Sequence, residues 1–248
     1  MLTIEPCVLP FTTRTGESFQ EQLDPWIARA REVGYSGFIV DVSNLEKPSS
    51  VSRMLKDASG FFDGFKLFTR KTIIMQDRQG MKERLANIRE KSGVNFICIR
   101  SSNPEVLNFA AKDSRIDIIH LETQPEMQAF SEGIASLASQ KGTFIELPFA
   151  PLYTTRGSAR SKFIRESNKI LEITMHKQGR LLFSSDARRL IDIKNAWQRA
   201  IVLNLLLDAS RQVAREIFFK NPMLLAEHGS KEDVATAGII DETIVEDD

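Results

Sequence analysis

"RLLFSSDARRLIDI", residues 180–193, joins an apolar run, Leu181-Leu182-Phe183, to a polar stop, Ser184-Ser185-Asp186, and then to two arginines, Arg188 and Arg189. A short apolar run that breaks off on polar residues reads as a buried strand passing into a loop. In α/β barrels the functional groups gather at such strand ends, and a carboxylate there can seat a metal ion. Here the next charged residues carry guanidinium groups. The passage therefore poses a choice between a metal-dependent active site and a surface that grips phosphate.

The same pattern recurs along the chain. Candidate strands lie at 4–10, 37–43, 66–75, 95–101, 117–122, 143–149 and 180–186, several of them rich in β-branched and aromatic residues and most too short for helices. The stretches between them have helical periodicity. Phe19, Leu23, Trp26, Ile27 and Ala30 mark one apolar face between 17 and 33. Asn103 is placed to cap a helix that starts at Pro104 and buries Val106, Leu107, Ala110 and Ala111. Phe163, Ile164, Ile170 and Leu171 form the inner side of another helix. After the last strand come "IKNAWQRAIVLNLLL" and "ASRQVAREIFFK", the latter expected to stop at Asn221-Pro222.

Seven such alternations imply a parallel sheet with right-handed crossovers. No Gly-rich phosphate loop follows any strand, which counts against an open nucleotide-binding sheet. The expected fold is α/β, a TIM-barrel-like barrel of about seven parallel strands with surrounding helices. With 248 residues, 42% of them apolar, one large core is within reach. Residues 1–226 are expected to form that one domain and 227–248 an acidic, loosely ordered tail.

Composition narrows the function classes. The N-terminus "MLTIEPCVLP" has no basic leader or small-residue cleavage site, and the longest apolar run, 200–207, is too short to span a bilayer. Cys7 and Cys98 lack paired spacing, as expected of reduced, buried thiols. These features point to a cytoplasmic protein with no membrane partner. The formal charge of zero conceals segregation: residues 154–199 hold 11 basic and 4 acidic groups, whereas 227–248 hold 1 and 8. A near-neutral sum is thus no argument against nucleic acid.

The strand ends carry Ser43-Asn44, Arg70-Lys71, Arg100-Ser101, Glu122, the 148–156 segment and Asp186 through Arg189. Arginine, lysine and hydroxyl groups of this kind position phosphates. Arg70 and Lys71 read either as part of that rim or as exposed charges on a twisted edge. Arg100, which ends the run "FICI", reads either as a phosphate contact or as a structural ion pair. Arg156, Arg160, Lys162 and Arg165 sit on a loop and the first turns of a helix, and their excess over carboxylates favours nucleic acid over a plain solvated face. The RNA-binding set expected from these positions is Arg70, Arg100, Arg156, Arg160, Arg165, Arg188, Arg189 and Lys194.

A metal-dependent hydrolase needs several His and carboxylate ligands converging. The chain has three histidines: His176 reads as a helix end, His228 as part of the tail, and His120 as a hydrogen-bonded core residue. Two guanidinium groups next to Asp186 favour an ion pair there. Ser184 and Ser185 lack the Gly-x-Ser-x-Gly setting of a nucleophile and read as loop caps. No catalytic residue, metal site or cofactor is expected on this chain.

In their order, "FKLFTRKTIIM", "IDIIHLE", "GTFIELPFAPLY", "LLFSSDARRLIDIKNAWQRAIVLNLLL" and "REIFFKNPMLL" resemble the roughly 30-kDa barrel subunit of archaeal and eukaryotic ribonuclease P, called protein component three in archaea. The resemblance runs from about residue 4 to 226. That family is similar in turn to the PHP hydrolases, with their metal ligands lost, so that Asp186 resembles a ligand remnant and Arg188 stands where those hydrolases tend to carry His. The resemblance implies a tRNA-processing ribonucleoprotein in which the RNA carries the chemistry. Its implied partners are ribonuclease P RNA, precursor tRNA and a small ferredoxin-like protein subunit, joined as a heterotetramer. The compact length leans archaeal. The alternative on the same plan is a stand-alone PHP-type phosphoesterase using Asp41, His120, Glu122 and Asp186.

Overall fold

The computed structural model describes residues 3–8, 19–44 and 64–230. Among these, seven strands stand side by side in chain order: β1 (Ile4–Val8), β2 (Gly37–Asp41), β3 (Lys66–Ile74), β4 (Phe96–Arg100), β5 (Ile118–His120), β6 (Phe144–Pro148) and β7 (Arg180–Ser184). Every neighbouring pair is parallel. The sheet curls until its ends meet, where Val8 forms an isolated parallel bridge to Ala187. The expected barrel is the one observed, with a thin seam between its first and last strands.

Helices wrap the outside: α1 (Phe19–Glu32), α2 (Met81–Ser92), α3 (Pro104–Ala110), α4 (Gln124–Ala129), α5 (Glu132–Lys141), α6 (Pro151–Thr154), α7 (Gly157–His176), α8 (Ala196–Leu207) and α9 (Arg211–Arg215). Local chemistry sets several of their starts. The Asn103 side chain accepts from the Glu105 N–H at 2.9 Å ahead of Pro104, and Ser131 caps α5 by accepting from Ile134 N–H.

Because strand side chains alternate, each strand feeds two cores. Phe38, Val40, Ile97, Ile99, Ile145, Leu147, Leu181 and Phe183 pack outward against the helices. Ile39, Phe68, Phe96, Ile118, Phe144 and Leu182 form a separate cluster inside the barrel. Further along the same inward rows, toward the C-terminal ends of the strands, the side chains turn polar: Asp41, Arg70, His120 and Glu146. The lower half of the barrel is thus a plug of apolar groups and the upper half a set of charges.

Two sequence expectations change here. Asn221-Pro222 does not end the last helix. The chain widens into a π turn over Glu216–Lys220 and stays helical from 221 to 230. The turn takes place where Pro222 removes a backbone donor, and the Asn221 side chain donates to the Leu181 carbonyl at 2.8 Å, tying this bend to β7. His228, expected in a loose tail, belongs to this helical stretch and pairs with Asp117 at 3.0 Å. Leu225 and Ala226 join the interior cluster, and a Cβ on Gly229 would lie 2.4 Å from the Phe96 ring. Packed structure therefore continues past the expected boundary at 226. The acidic segment from 231 onward lies outside the described residues.

Candidate functional site

The C-terminal mouth of the barrel is centred on Arg70. Inward alternation along β3 puts Arg70 between Phe68 and Thr72, so its side chain enters the barrel and is only 2% exposed. Its Nε donates to Asp41 Oδ2 at 3.0 Å, its Nη1 to Glu146 Oε2 at 2.5 Å, and its Nη2 lies 3.9 Å from Asp186 Oδ1. His120 stands next to it, with Nδ1 2.6 Å from Glu146 Oε2 and Nε2 3.3 Å from Asp186 Oδ2. Asp41 also accepts from the Ser43 and Thr72 hydroxyls. Two cations and three carboxylates thus interlock across β2, β3, β5, β6 and the loop after β7.

The Arg70 expectation needs correcting: this residue is neither a rim contact nor an exposed edge charge. The two-residue period of β3, together with carboxylates waiting on β2 and β6, draws it inward. Asp186 also has different partners from those expected, since Arg70 and His120 meet it rather than Arg188 or Arg189. Asp186 sits at φ 46°, a left-handed conformation that is strained for a non-glycine residue and that turns its carboxylate back over the mouth.

Electrostatics follow from this packing. Burial by itself lowers the His120 pKa, but Asp186 and Glu146 outweigh it and push it up to about 10. Asp186 is held well below the usual carboxylate range, because His120 and Arg70 overcome the opposing effect of burial. Asp41 is lowered in the same way, by Arg70 and by Ser43 and Thr72 against burial. A pKa raised on folding stabilises fully below the unfolded value and is lost as pH climbs toward the folded one. The His120 contribution, on the order of a few kcal/mol, should accordingly fade between about pH 6.5 and 10. Thermal midpoints of the parent and His120→Asn should differ most near pH 6 and converge toward pH 10. A gap independent of pH would mean that His120 is neutral.

This donor set does not suit a metal ion. Asp41 Oδ2 and Glu146 Oε2 already accept from Arg70, Thr72 or His120, whereas Glu146 Oε1 is buried without a hydrogen-bond partner, and the raised His120 pKa favours the imidazolium, which has no lone pair to donate. Glu122 is engaged by Arg100. Among the described residues no group of three or more His, Cys, Asp and Glu side chains is arranged to hold a metal ion.

The remaining candidates spread round the rim. Arg100 pairs with Glu122 and, at 3.1 Å, with Glu126, which is the ion-pair alternative open to it. Arg189 is clamped by Asp192 at 2.8 Å, and Arg165 lies 3.1 Å from Glu166. Arg188 is exposed and has no hydrogen bond or ion pair among the described residues. It lines the 470 Å³ mouth cavity together with Ser43, Asn44, Arg70 and Arg100. Arg156 is exposed, while Arg160 and Lys194 are half-buried. The structure brings Arg70, Arg100 and Arg188 to one cavity; Arg156, Arg160 and Arg165 lie apart, on α7 and its entry.

A second buried cation escaped the sequence reading. Arg199 on α8 reaches the seam, where it bonds Glu5 of β1 and the Tyr35 hydroxyl, donates to the Phe183 carbonyl at 3.3 Å, and lies over the rings of Tyr35, Phe149 and Phe218. Glu5 in turn accepts from the Ser185 N–H at 2.8 Å. The one available signal was a charged residue in the middle of an otherwise apolar strand and another in an otherwise apolar helix. Ser185 acts as the loop cap expected of it, accepting from Ala187 N–H and donating to the Cys7 carbonyl. Cys7 and Cys98 are buried free thiols, as expected.

The arrangement defines a class: a parallel α/β barrel whose mouth holds a buried arginine and histidine bound to carboxylates, with Arg188 unpaired among the described residues on its rim. The RNase P subunit p30 family model matches residues 4–233, and the chain belongs to that family. Over 199 residues it is 21% identical to ribonuclease P protein component 3 of Methanosarcina mazei, spanning 77% of this chain and 80% of the relative. The counterpart in Methanosarcina acetivorans is 20% identical over 202 residues, spanning 79% and 82%. In fold, the chain is similar to one in the cryo-EM structure of archaeal ribonuclease P with mature tRNA, with a TM-score of 0.71, 18% identity and coverage of 93% and 91%. An uncharacterized protein of known crystal structure also matches, at a TM-score of 0.59 and 11% identity. Among the described residues, no helix is long and apolar enough to cross a membrane.

Proposed function

We propose that this chain is a non-catalytic protein subunit of ribonuclease P, which binds the catalytic RNA and assists removal of the 5′ leader from precursor tRNA. It does so together with a small ferredoxin-like protein subunit, the two forming a heterotetramer in the cytoplasm. The observation that carries this reading is the placement of Arg70. A guanidinium occupies the centre of the mouth, where a barrel hydrolase would need open ligands, while Arg188 remains free at the edge. The structural relative solved with mature tRNA supports RNA as the partner. Arg188, Arg156 and Arg160 are the leading phosphate contacts. Arg165 and Lys194 complete the set, and Arg100, Arg165 and Arg189 are drawn partly into ion pairs.

Each phosphate neutralised should add about −0.7 to −0.9 to the slope of log affinity against log salt. Arg188→Ala should therefore flatten the slope for ribonuclease P RNA by about one such unit, read from filter binding across a salt series. An unchanged slope would remove Arg188 from the interface. Reconstitution with the RNA subunit and the small protein partner should raise precursor-tRNA cleavage. Elemental analysis finding stoichiometric metal in the purified chain, with chelator-sensitive phosphomonoester hydrolysis, would instead favour the PHP-type phosphoesterase.

A further inference from the structure

Beside the barrel mouth, the loops after β6 and β7 enclose a groove of 440 Å³, lined by Pro151, Tyr153, Thr154, Asp186 and Arg188 among others. Its size falls within the range of about 300–1,000 Å³ that accepts small organic groups. It is continuous in lining with the mouth cavity, since both include Glu122, Asp186 and Arg188.

Tyr153 is 39% exposed, one of the few large aromatic side chains presented to solvent among the described residues. Its ring lies 6.1 Å from Phe149, which is itself held edge-on by Phe183 at 6.4 Å and Phe218 at 6.0 Å. The aromatic surface is thus backed by the core and fixed before any ligand arrives. The acidic groups in the groove are already matched: Asp186 by His120 and Arg70, Glu122 by Arg100, and Asp192 by Arg189. Arg70 is shared with Asp41 and Glu146, and Arg100 with Glu126, so among the described residues Arg188 is the charged group of the lining that makes no ion pair, and it is positive.

We infer that this groove receives one unpaired nucleotide of an RNA, its base stacked on Tyr153 and its phosphate held by Arg188. The inference rests on the RNA-binding reading above and names the form of RNA that this part of the surface prefers. A fixed aromatic face next to a cation suits a splayed-out base, whereas a base within a duplex is already stacked and cannot enter a recess.

The test compares a mixed-sequence single-stranded RNA with the same RNA annealed to its complement, each binding the full chain across a salt series. The parent should prefer the single strand. Tyr153→Ala should weaken single-strand binding by about 5- to 150-fold, with the salt slope and the duplex affinity unchanged. Tyr153→Phe should keep the preference, since the ring is retained. Arg188→Ala should weaken binding to both forms and reduce the single-strand slope by about 0.7. A parent that binds both forms equally, or a Tyr153→Ala protein that keeps the preference, overturns the stacking site and leaves the RNA-binding reading standing. A parent that binds neither form overturns both.

Discussion

Replacing Arg70 by Met should lower the thermal midpoint by about 6–20 °C. Removing one partner from a buried ion cluster costs about 3–5 kcal/mol, and each kcal/mol moves a chain of this size by about 2–4 °C. The cost arises from what stays behind: Asp41, Glu146 and Asp186 would face each other inside the barrel with only His120 between them. Adding Asp41→Asn to Arg70→Met should recover part of the loss, because one orphaned charge is then removed; such non-additivity is the signature of direct coupling. If Arg70→Met melts within about 2 °C of the parent, on that same scale, the cluster is wet and Arg70 is no keystone.

Arg199→Met should be about as damaging, again about 3–5 kcal/mol, but in a different place. Glu5 is fully buried, and without Arg199 it would retain the N–H groups of Ser185 and Cys7 and no cationic partner among the described residues. The defect falls on the seam, where β1 meets the end of β7 through the bridge from Val8 to Ala187. Native-state hydrogen exchange separates this effect from general weakening. The amide of Ser185 should lose protection far more than those of Ile145 and Leu181, within the continuous ladder between β6 and β7. Uniform loss across all three would mean that Arg199 merely contributes to overall stability. Glu5→Gln in the Arg199→Met background should offset part of the destabilisation.

The architecture was legible because it is written in local signals. Each apolar run of five or so residues became a strand, and the Asn103-Pro104 start and the apolar face of α1 were found where the periodicity placed them. Strand ends were identified, yet the side to which each charged residue turns was not. Arg70 and Lys71 look equivalent in a string, whereas one belongs to the inward row and is buried and the other is half-exposed. The deciding fact is the presence of Asp41 and Glu146 on neighbouring inward rows, 29 and 76 residues away along the chain. Arg199 was missed for the same reason, since its partner Glu5 lies 194 residues away. Arg188 and Arg189 were both expected to pair with Asp186, and only the geometry leaves Arg188 exposed and gives Arg189 to Asp192, three residues further on. The Asn221-Pro222 pair misled because the helix stop it signals was absorbed by a wider turn.

The thin closure of the barrel also bears on how the protein is made. The bonds from Glu5 to Ser185 and Arg199 span 180 and 194 residues, so during synthesis β1 must wait for Ser185 and Arg199 to leave the ribosome. Joining such distant segments is entropically slow, and until it happens the nascent chain exposes two unpaired strand edges and an open apolar interior. The polypeptide should therefore depend on chaperone capacity during translation more than its finished stability would suggest, with the last step of its birth being the locking of its first strand.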